Sequence, residues 1–187
     1  KGTPAVKVWK DGSKSSAKVV TGNAESISAE NWQGKSYSAA NKVNIADYFE
    51  ENTQYHYQYT DNYTGDDSVW SAEYDYTTKA TDKFSVILTG DPQVGASGSS
   101  SDKSANDASV ARDAYNWNKT MQQALKTCPD ASFLLSAGDQ INQSGAAKDD
   151  DKKTRESEYA GYLYPSVFRS LPIAATIGNH DMAGADY

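Results

Sequence analysis

The side chains that could do chemistry in this sequence stand in three short polar clusters in its second half. Asp91 and Asp139 each follow a glycine, and Asn179, His180 and Asp181 stand together after a third glycine. Carboxylate and amide oxygens suit hard cations, and a neighbouring imidazole can donate a proton or stabilise charge. Two carboxylates brought together repel each other unless a cation lies between them. These residue types therefore predict a divalent metal site that acts on a phosphate group.

Each cluster follows a short apolar run that is typical of a buried strand. The runs are FSVILTGDPQ (84–93), SFLLSAGDQIN (132–142) and IAATIGNHD (173–181). Apolar residues at helical spacing predict a helix from about 107 to 126, and 143–161 is interpreted as a solvated loop and helix start. The order βαβαβ indicates parallel strands with right-handed crossovers. The loops at the carboxyl ends of such strands meet on one edge of the sheet, where ligands bind in open α/β folds.

The first part of the chain follows a different pattern, because its aromatic residues alternate with period two. TQYHYQYT (53–60) places three tyrosines on one face of a strand. Short strands separated by turns indicate a β-sandwich. Fewer strands can be placed in this sequence than the total of about seven in a complete sandwich domain. His56 is interpreted as a solvated strand residue rather than a ligand. We therefore expect an incomplete all-β sandwich over 1–80 and an α/β domain over 81–187.

Composition excludes several classes of function. The net charge is −7 and the sequence pI is about 4.8, which argues against a nucleic-acid-binding surface. No apolar run reaches the roughly 20 residues that a membrane span needs. The single cysteine, Cys128, allows neither an internal disulfide nor a thiolate metal site. A chain rich in Tyr, Ser, Thr and Asn is typical of an exported bacterial protein, so we expect an extracellular or cell-surface location.

Taken in order, the three clusters resemble the first three motifs of the calcineurin-like metallophosphoesterases. The segments 41–59 and 69–78 are similar to the fibronectin-type-III-like domain that precedes the catalytic domain in purple-acid-phosphatase-like members. The resemblance implies an N-terminal fibronectin-III-like sandwich followed by the front half of an α/β/β/α metallophosphoesterase domain.

The resemblance also implies an activity and a ligand set. The expected reaction is hydrolysis of small phosphate esters, with phosphomonoesters as the first guess, by a metal-bound hydroxide at two divalent or trivalent ions such as Fe, Zn or Mn. By motif, Asp91 would bind the first metal, Asp139 would bridge both, and Asn179 would bind the second. His180 would act at the phosphate and the leaving group, and Asp181 beside it could orient its ring.

The sequence departs from the family pattern at two motif positions. Gln93 stands where many members have a ligand His and purple acid phosphatases have Gly, and Asn142 stands where purple acid phosphatases have a ligand Tyr. Each amide could bind a metal weakly, or could instead contact the metal ligands without binding the metal itself.

The family also needs histidine ligands from two further motifs, whereas this chain contains only two histidines. We therefore expect a piece of a longer protein, inactive by itself, whose remaining C-terminal half completes the site. Without that half, a three-stranded parallel sheet should leave an apolar face open. The alternative is a non-enzymatic surface or adhesion module with a degenerate metal site.

Overall fold

The computed structural model describes residues 2–98, 103–143 and 149–182. The chain divides into two compact units, the first comprising 1–28 with 37–84 and the second comprising 29–36 with 85–187. Segment 29–36 groups with the second unit, in which the Trp32 ring meets that of Tyr164 edge-on at 5.4 Å between centroids. The domain boundary near residue 80 stays a prediction.

The described residues before position 80 form six strands. They are β1 (Ala5–Lys10), β2 (Lys18–Thr21), β3 (Asn23–Glu30), β4 (Ser36–Lys42), β5 (Gln54–Thr60) and β6 (Tyr74–Thr77). Four make an antiparallel sheet in the order β2-β1-β5-β6, and β3 pairs with β4 in a separate sheet. The alternating tyrosines predicted β5 correctly, since Tyr57 pairs with Tyr74 across the neighbouring strand. The fibronectin-type-III-like identity stays a prediction.

The environment of His56 on β5 differs from the sequence-based interpretation, because its side chain is not solvated. Its side chain is only 15% exposed and its ring stacks on Trp9 at 5.9 Å between centroids. Nε2 lies 2.9 Å from Asp11 Oδ1, and Nδ1 lies 2.7 Å from Asp75 Oδ1 and 3.3 Å from Glu73 Oε1. The ring therefore joins β5 to the turn after β1 and to the segment of β6.

The second unit is built on three parallel strands. The elements are β7 (Ser85–Thr89), α1 (Lys103–Thr127), β8 (Ala131–Ser136), α2 (Asp149–Tyr162), β9 (Ile173–Ala175) and the short α3 (Asn179–Met182). The sheet order is β7-β8-β9 and both pairings are parallel. A mixed α/β class is thus confirmed, with one long helix between each pair of neighbouring strands.

Helix α1 covers one face of this sheet with the apolar stripe that its sequence predicted. Val110, Ala114 and Met121 are almost completely buried. The Trp117 indole Nε1–H donates to the Tyr162 carbonyl oxygen at 3.0 Å and ties α1 to the end of α2. The stripe is therefore core packing and not a cofactor site.

The opposite face of the sheet carries exposed apolar side chains over the described residues. Leu134 in the central strand is 0% exposed, whereas Leu88 on β7 is 67% exposed and Val86 is 36% exposed. Parallel sheets are ordinarily covered on both faces, so this open face agrees with the sequence-based expectation. No helix among the described residues has the length and apolarity that crossing a membrane requires.

Candidate functional site

The loops that follow β7 and β8 continue side by side beyond the ends of their strands. The Asp91 N–H donates to the Gly138 carbonyl oxygen at 3.1 Å, and the Gln93 N–H donates to the Asp139 carbonyl oxygen at 2.9 Å. These bonds extend the parallel pairing into the loops. The first two polar clusters therefore lie together at the carboxyl edge of the sheet.

The third loop joins the second through a side chain. The His180 backbone N–H donates to Asp139 Oδ1 at 2.8 Å. The approach is so close that a Cβ on Gly178 would overlap that carboxylate oxygen, and a Cβ on Gly138 would lie 2.6 Å from Gly178 N. Gly138 also has φ +98°, a conformation that other residues rarely adopt. Gly138 and Gly178, which precede the second and third polar clusters, are thus needed to bring these two loops together.

The two aspartate loops hold strained backbone. Among the described residues, four non-glycine residues have positive φ, and three of them lie here: Asp91 at 57°, Gln93 at 36° and Asp139 at 50°. A non-glycine residue in such a conformation costs on the order of 1–3 kcal/mol and persists only where its surroundings impose it. Strain of this kind clusters at functional sites, and here it marks the edge that the motifs occupy.

The donors at this edge fit hard cations by type but not by number. Asp91 and Asn179 are exposed and Asp139 is half-buried. Within the described ranges, no three His, Cys, Asp or Glu side chains converge in the manner of a metal site. Two carboxylates and one amide are oxygen ligands that divalent ions accept, yet they fall short of the six or so that a hard cation takes. A metal-binding role for Asp91, Asp139 and Asn179 therefore stays a prediction.

The ring of His180 is oriented by a backbone carbonyl. Its Nδ1 lies in a short hydrogen bond with the Asn142 carbonyl oxygen. A carbonyl can only accept, so Nδ1 carries the proton and donates. In the neutral ring Nε2 is then the unprotonated nitrogen, and it is the one left for another partner.

Asp181 is buried, and its carboxylate accepts hydrogen bonds from groups other than that ring. Oδ2 accepts the Gly178 N–H at 2.9 Å, and Oδ1 accepts the Gln140 N–H at 3.2 Å and the Tyr159 hydroxyl at 3.1 Å. These bonds hold the third loop against the second. The partner of the His180 ring is therefore the Asn142 carbonyl, rather than Asp181 as the sequence analysis suggested.

Gln93 and Asn142 contribute through their backbones. All their hydrogen bonds in the described structure use main-chain atoms, such as the Asn142 N–H donating to the Val94 carbonyl oxygen at 3.1 Å. Both residues thus build the frame of the two loops. A direct role of either amide side chain as a ligand stays a prediction.

Glu158 on α2 belongs to this site and was missed from the sequence. It is 0% exposed, and its Oε2 accepts the Asn142 N–H at 3.1 Å and the Gln143 N–H at 2.7 Å. Burial raises the pKa of the Glu158 carboxyl to about 7, and the two N–H donors oppose the rise. A weak signal for its burial, although not for its contacts, was available, since Glu158 lies four positions before the buried Tyr162 on the same helix.

Comparison with known proteins supports the resemblance at the level of fold. No family model matches the sequence, and no curated protein matches it. The structure is similar to that of a purple acid phosphatase isolated from yellow lupin (Lupinus luteus) seeds, with a TM-score of 0.60 and 18% sequence identity. The match covers 99% of this chain and 32% of the lupin chain, so the chain spans about a third of that protein.

Proposed function

We propose that this chain is part of a metal-dependent phosphoester hydrolase and supplies the first three loops of its catalytic edge. The observation that carries the proposal is the bond from the His180 N–H to Asp139 Oδ1, because it joins two polar clusters at the edge that also holds Asp91. The likeness of fold to a purple acid phosphatase supports small phosphate esters as substrates, with monoesters as the first choice.

In this proposal Asp91, Asp139 and Asn179 hold two metal ions of the kind of Fe, Zn or Mn. Further ligands come from a longer form of the protein, since the described residues supply too few. Cations bound there supply the positive charge that polarises a phosphoryl group. The acidic chain, with a net charge of −7, gives an anionic substrate no long-range attraction of its own.

His180 is the residue that acts on the substrate. Because its Nδ1 donates to the Asn142 carbonyl, Nε2 is the nitrogen that faces a phosphoryl oxygen or the leaving group. A neutral ring can only accept a hydrogen bond at Nε2, so protonation of a leaving alkoxide requires the imidazolium form. Asp181 acts indirectly, by holding the turn from which His180 projects.

The test uses the full-length protein that contains this chain, with its metal content and its turnover of p-nitrophenyl phosphate measured together. We expect Asp139→Asn to lower both, with turnover falling by more than the roughly 100-fold that losing a supporting residue costs. Asp130→Asn is the matched control, because Asp130 is an exposed carboxylate in the turn before β8. Wild-type protein without metal or turnover, or equal turnover in the two variants, would contradict the proposal.

The second candidate is a non-enzymatic surface or adhesion module. Two observations favour it: the small number of converging metal ligands among the described residues, and a Tyr-rich first unit in which Tyr59 is 46% exposed. Aromatic side chains of this kind suit binding surfaces. Stoichiometric metal that is lost in Asp139→Asn would exclude this candidate.

A further inference from the structure

Glu158 holds two successive peptide groups of the second loop. Its Oε2 lies 2.7 Å from the Gln143 nitrogen and 3.1 Å from the Asn142 nitrogen, so one carboxylate oxygen accepts two successive backbone N–H groups. Hydrogen bonds to a carboxylate are shorter and stronger than those between neutral groups. The second loop is therefore anchored to α2 at this point.

The second of these peptide groups, between Asn142 and Gln143, also contacts His180. The Asn142 carbonyl and the Gln143 N–H belong to one planar trans peptide, in which the two bonds point in opposite directions. Glu158 accepts from the N–H, and the His180 Nδ1–H donates to the carbonyl oxygen. An anchor on the N–H thus fixes the direction in which the carbonyl points.

Glu158 has little freedom to bond elsewhere. Its side chain is 0% exposed, and the Cα of Gly95 lies so close that a Cβ there would overlap Oε1. Oε1 has no hydrogen-bond partner among the described atoms, which leaves the two backbone N–H groups as the contacts of the carboxylate. A buried carboxylate with one unpartnered oxygen is costly, and this cost indicates a role beyond packing.

We propose that Glu158 is a positioning residue, which acts through the peptide group between Asn142 and Gln143 to hold His180 in the tautomer protonated at Nδ1. His180 then always presents Nε2 to the catalytic edge. The effect of this fixed tautomer on turnover rests on the proposed function, whereas the positioning of His180 by Glu158 does not.

The test is the tautomer of His180 in the 187-residue chain, read from ring ¹⁵N shifts at a pH where the ring is neutral. The sequence contains two histidines, so His56→Gln assigns the signals without ambiguity. Glu158→Gln keeps a side-chain oxygen at the same distance from the backbone. Glu158→Asp keeps the negative charge, but its side chain is shorter by one methylene group. We expect the Nδ1–H tautomer to dominate in wild type and in Glu158→Gln. In Glu158→Asp the ratio of the Nδ1–H to the Nε2–H tautomer should fall on the order of tenfold.

A folded Glu158→Asp variant with the wild-type tautomer would overturn the proposal, and so would wild-type protein with its proton on Nε2. If Glu158→Asp does not fold, amide hydrogen exchange in the wild type decides. The Asn142 and Gln143 amides should be protected, and exchange at the rate of open loops would overturn the proposal. None of these readouts requires metal or turnover. The expected tautomer in this chain, together with a full-length protein that has neither metal nor turnover, would therefore refute the proposed hydrolase and leave the role of Glu158 standing.

Discussion

The His180 backbone nitrogen lies 2.8 Å from Asp139 Oδ1, although the two residues stand 41 positions apart in the sequence. The bond engages one oxygen of the carboxylate that the motif pattern singles out, and it fixes the start of α3 against the loop after β8. It depends on a close approach that Gly178 permits, because a side chain there would meet that same oxygen. The contact between the second and third loops thus depends on an aspartate and a glycine together.

Gly178→Ala should therefore destabilise the second unit. The added Cβ would overlap Asp139 Oδ1, and relief requires a backbone shift that breaks the bond to His180. We expect a loss of about 1–3 kcal/mol in the free energy of unfolding, the usual cost of overpacking, measured by urea denaturation.

Gly90→Ala is the control for this change, since it adds the same methyl group to the neighbouring loop. A Cβ on Gly90 would meet the Ala137 Cβ at 3.6 Å, an ordinary contact. Its effect should stay within about 0.5 kcal/mol. Equal losses in the two variants would mean that the close approach at Gly178 does not exist in solution.

Asp181→Asn should weaken the fold and leave the His180 ring as it is. The wild-type carboxylate accepts hydrogen bonds from Gly178, Gln140 and Tyr159. In the variant, the amide NH₂ group replaces one carboxylate oxygen, so it faces at least one of these donors with a donor of its own. We expect a loss of about 1–3 kcal/mol in thermal or urea unfolding. The tautomer of His180, read by ¹⁵N NMR, should be unchanged, and Asp130→Asn should alter neither quantity. A changed tautomer would restore the hypothesis that Asp181 orients this ring.

Local sequence pattern was enough to predict the frame of the site. The apolar runs before Asp91, Asp139 and Asn179 correspond to β7, β8 and β9, because strands of a parallel sheet are usually apolar along their length. Of the three, only β8 is largely buried among the described residues, whereas β7 and β9 are mostly exposed. The alternating tyrosines predicted β5 for a similarly local reason. What these residues bind stays a prediction, since the described residues bring together no cluster of three His, Cys, Asp or Glu side chains.

The residues whose environments the sequence did not predict are surrounded by distant parts of the chain. Glu158 stands in a charged segment that reads as solvated, yet it is buried because the loop at Asn142 and Gln143 folds onto it. His56 reads as exposed, yet Asp11, 45 positions before it, and Asp75, 19 positions after it, meet at its ring. Neither spacing follows a helical or strand period, so no local pattern signals the contacts.

The two faces of the parallel sheet should respond differently to mutation. Leu134 is 0% exposed in the core, so Leu134→Ala should cost about 2–5 kcal/mol through the cavity that it leaves. Leu88 is 67% exposed on the open face, so Leu88→Ser should cost no more than about 0.5 kcal/mol. It should also reduce self-association in light scattering, because an exposed apolar patch favours association. A loss of several kcal/mol in Leu88→Ser would show that this face is covered in solution.

The first unit should lose stability as the pH rises through the titration of His56. Hydrogen bonds to Asp11 and then Asp75 raise the pKa of His56 above the 6.5 of a free imidazole, and burial opposes them. Both ring nitrogens face carboxylates, so the contacts are complete only in the imidazolium form. A raised folded-state pKa means that the stabilisation is full below pH 6.5 and is lost as the pH passes the folded value. The free energy of unfolding, measured by urea denaturation from about pH 6 to about pH 9, should therefore fall, and His56→Gln should remove most of that fall. An identical pH profile in the variant would show that the ring does not bridge these strands in its charged form.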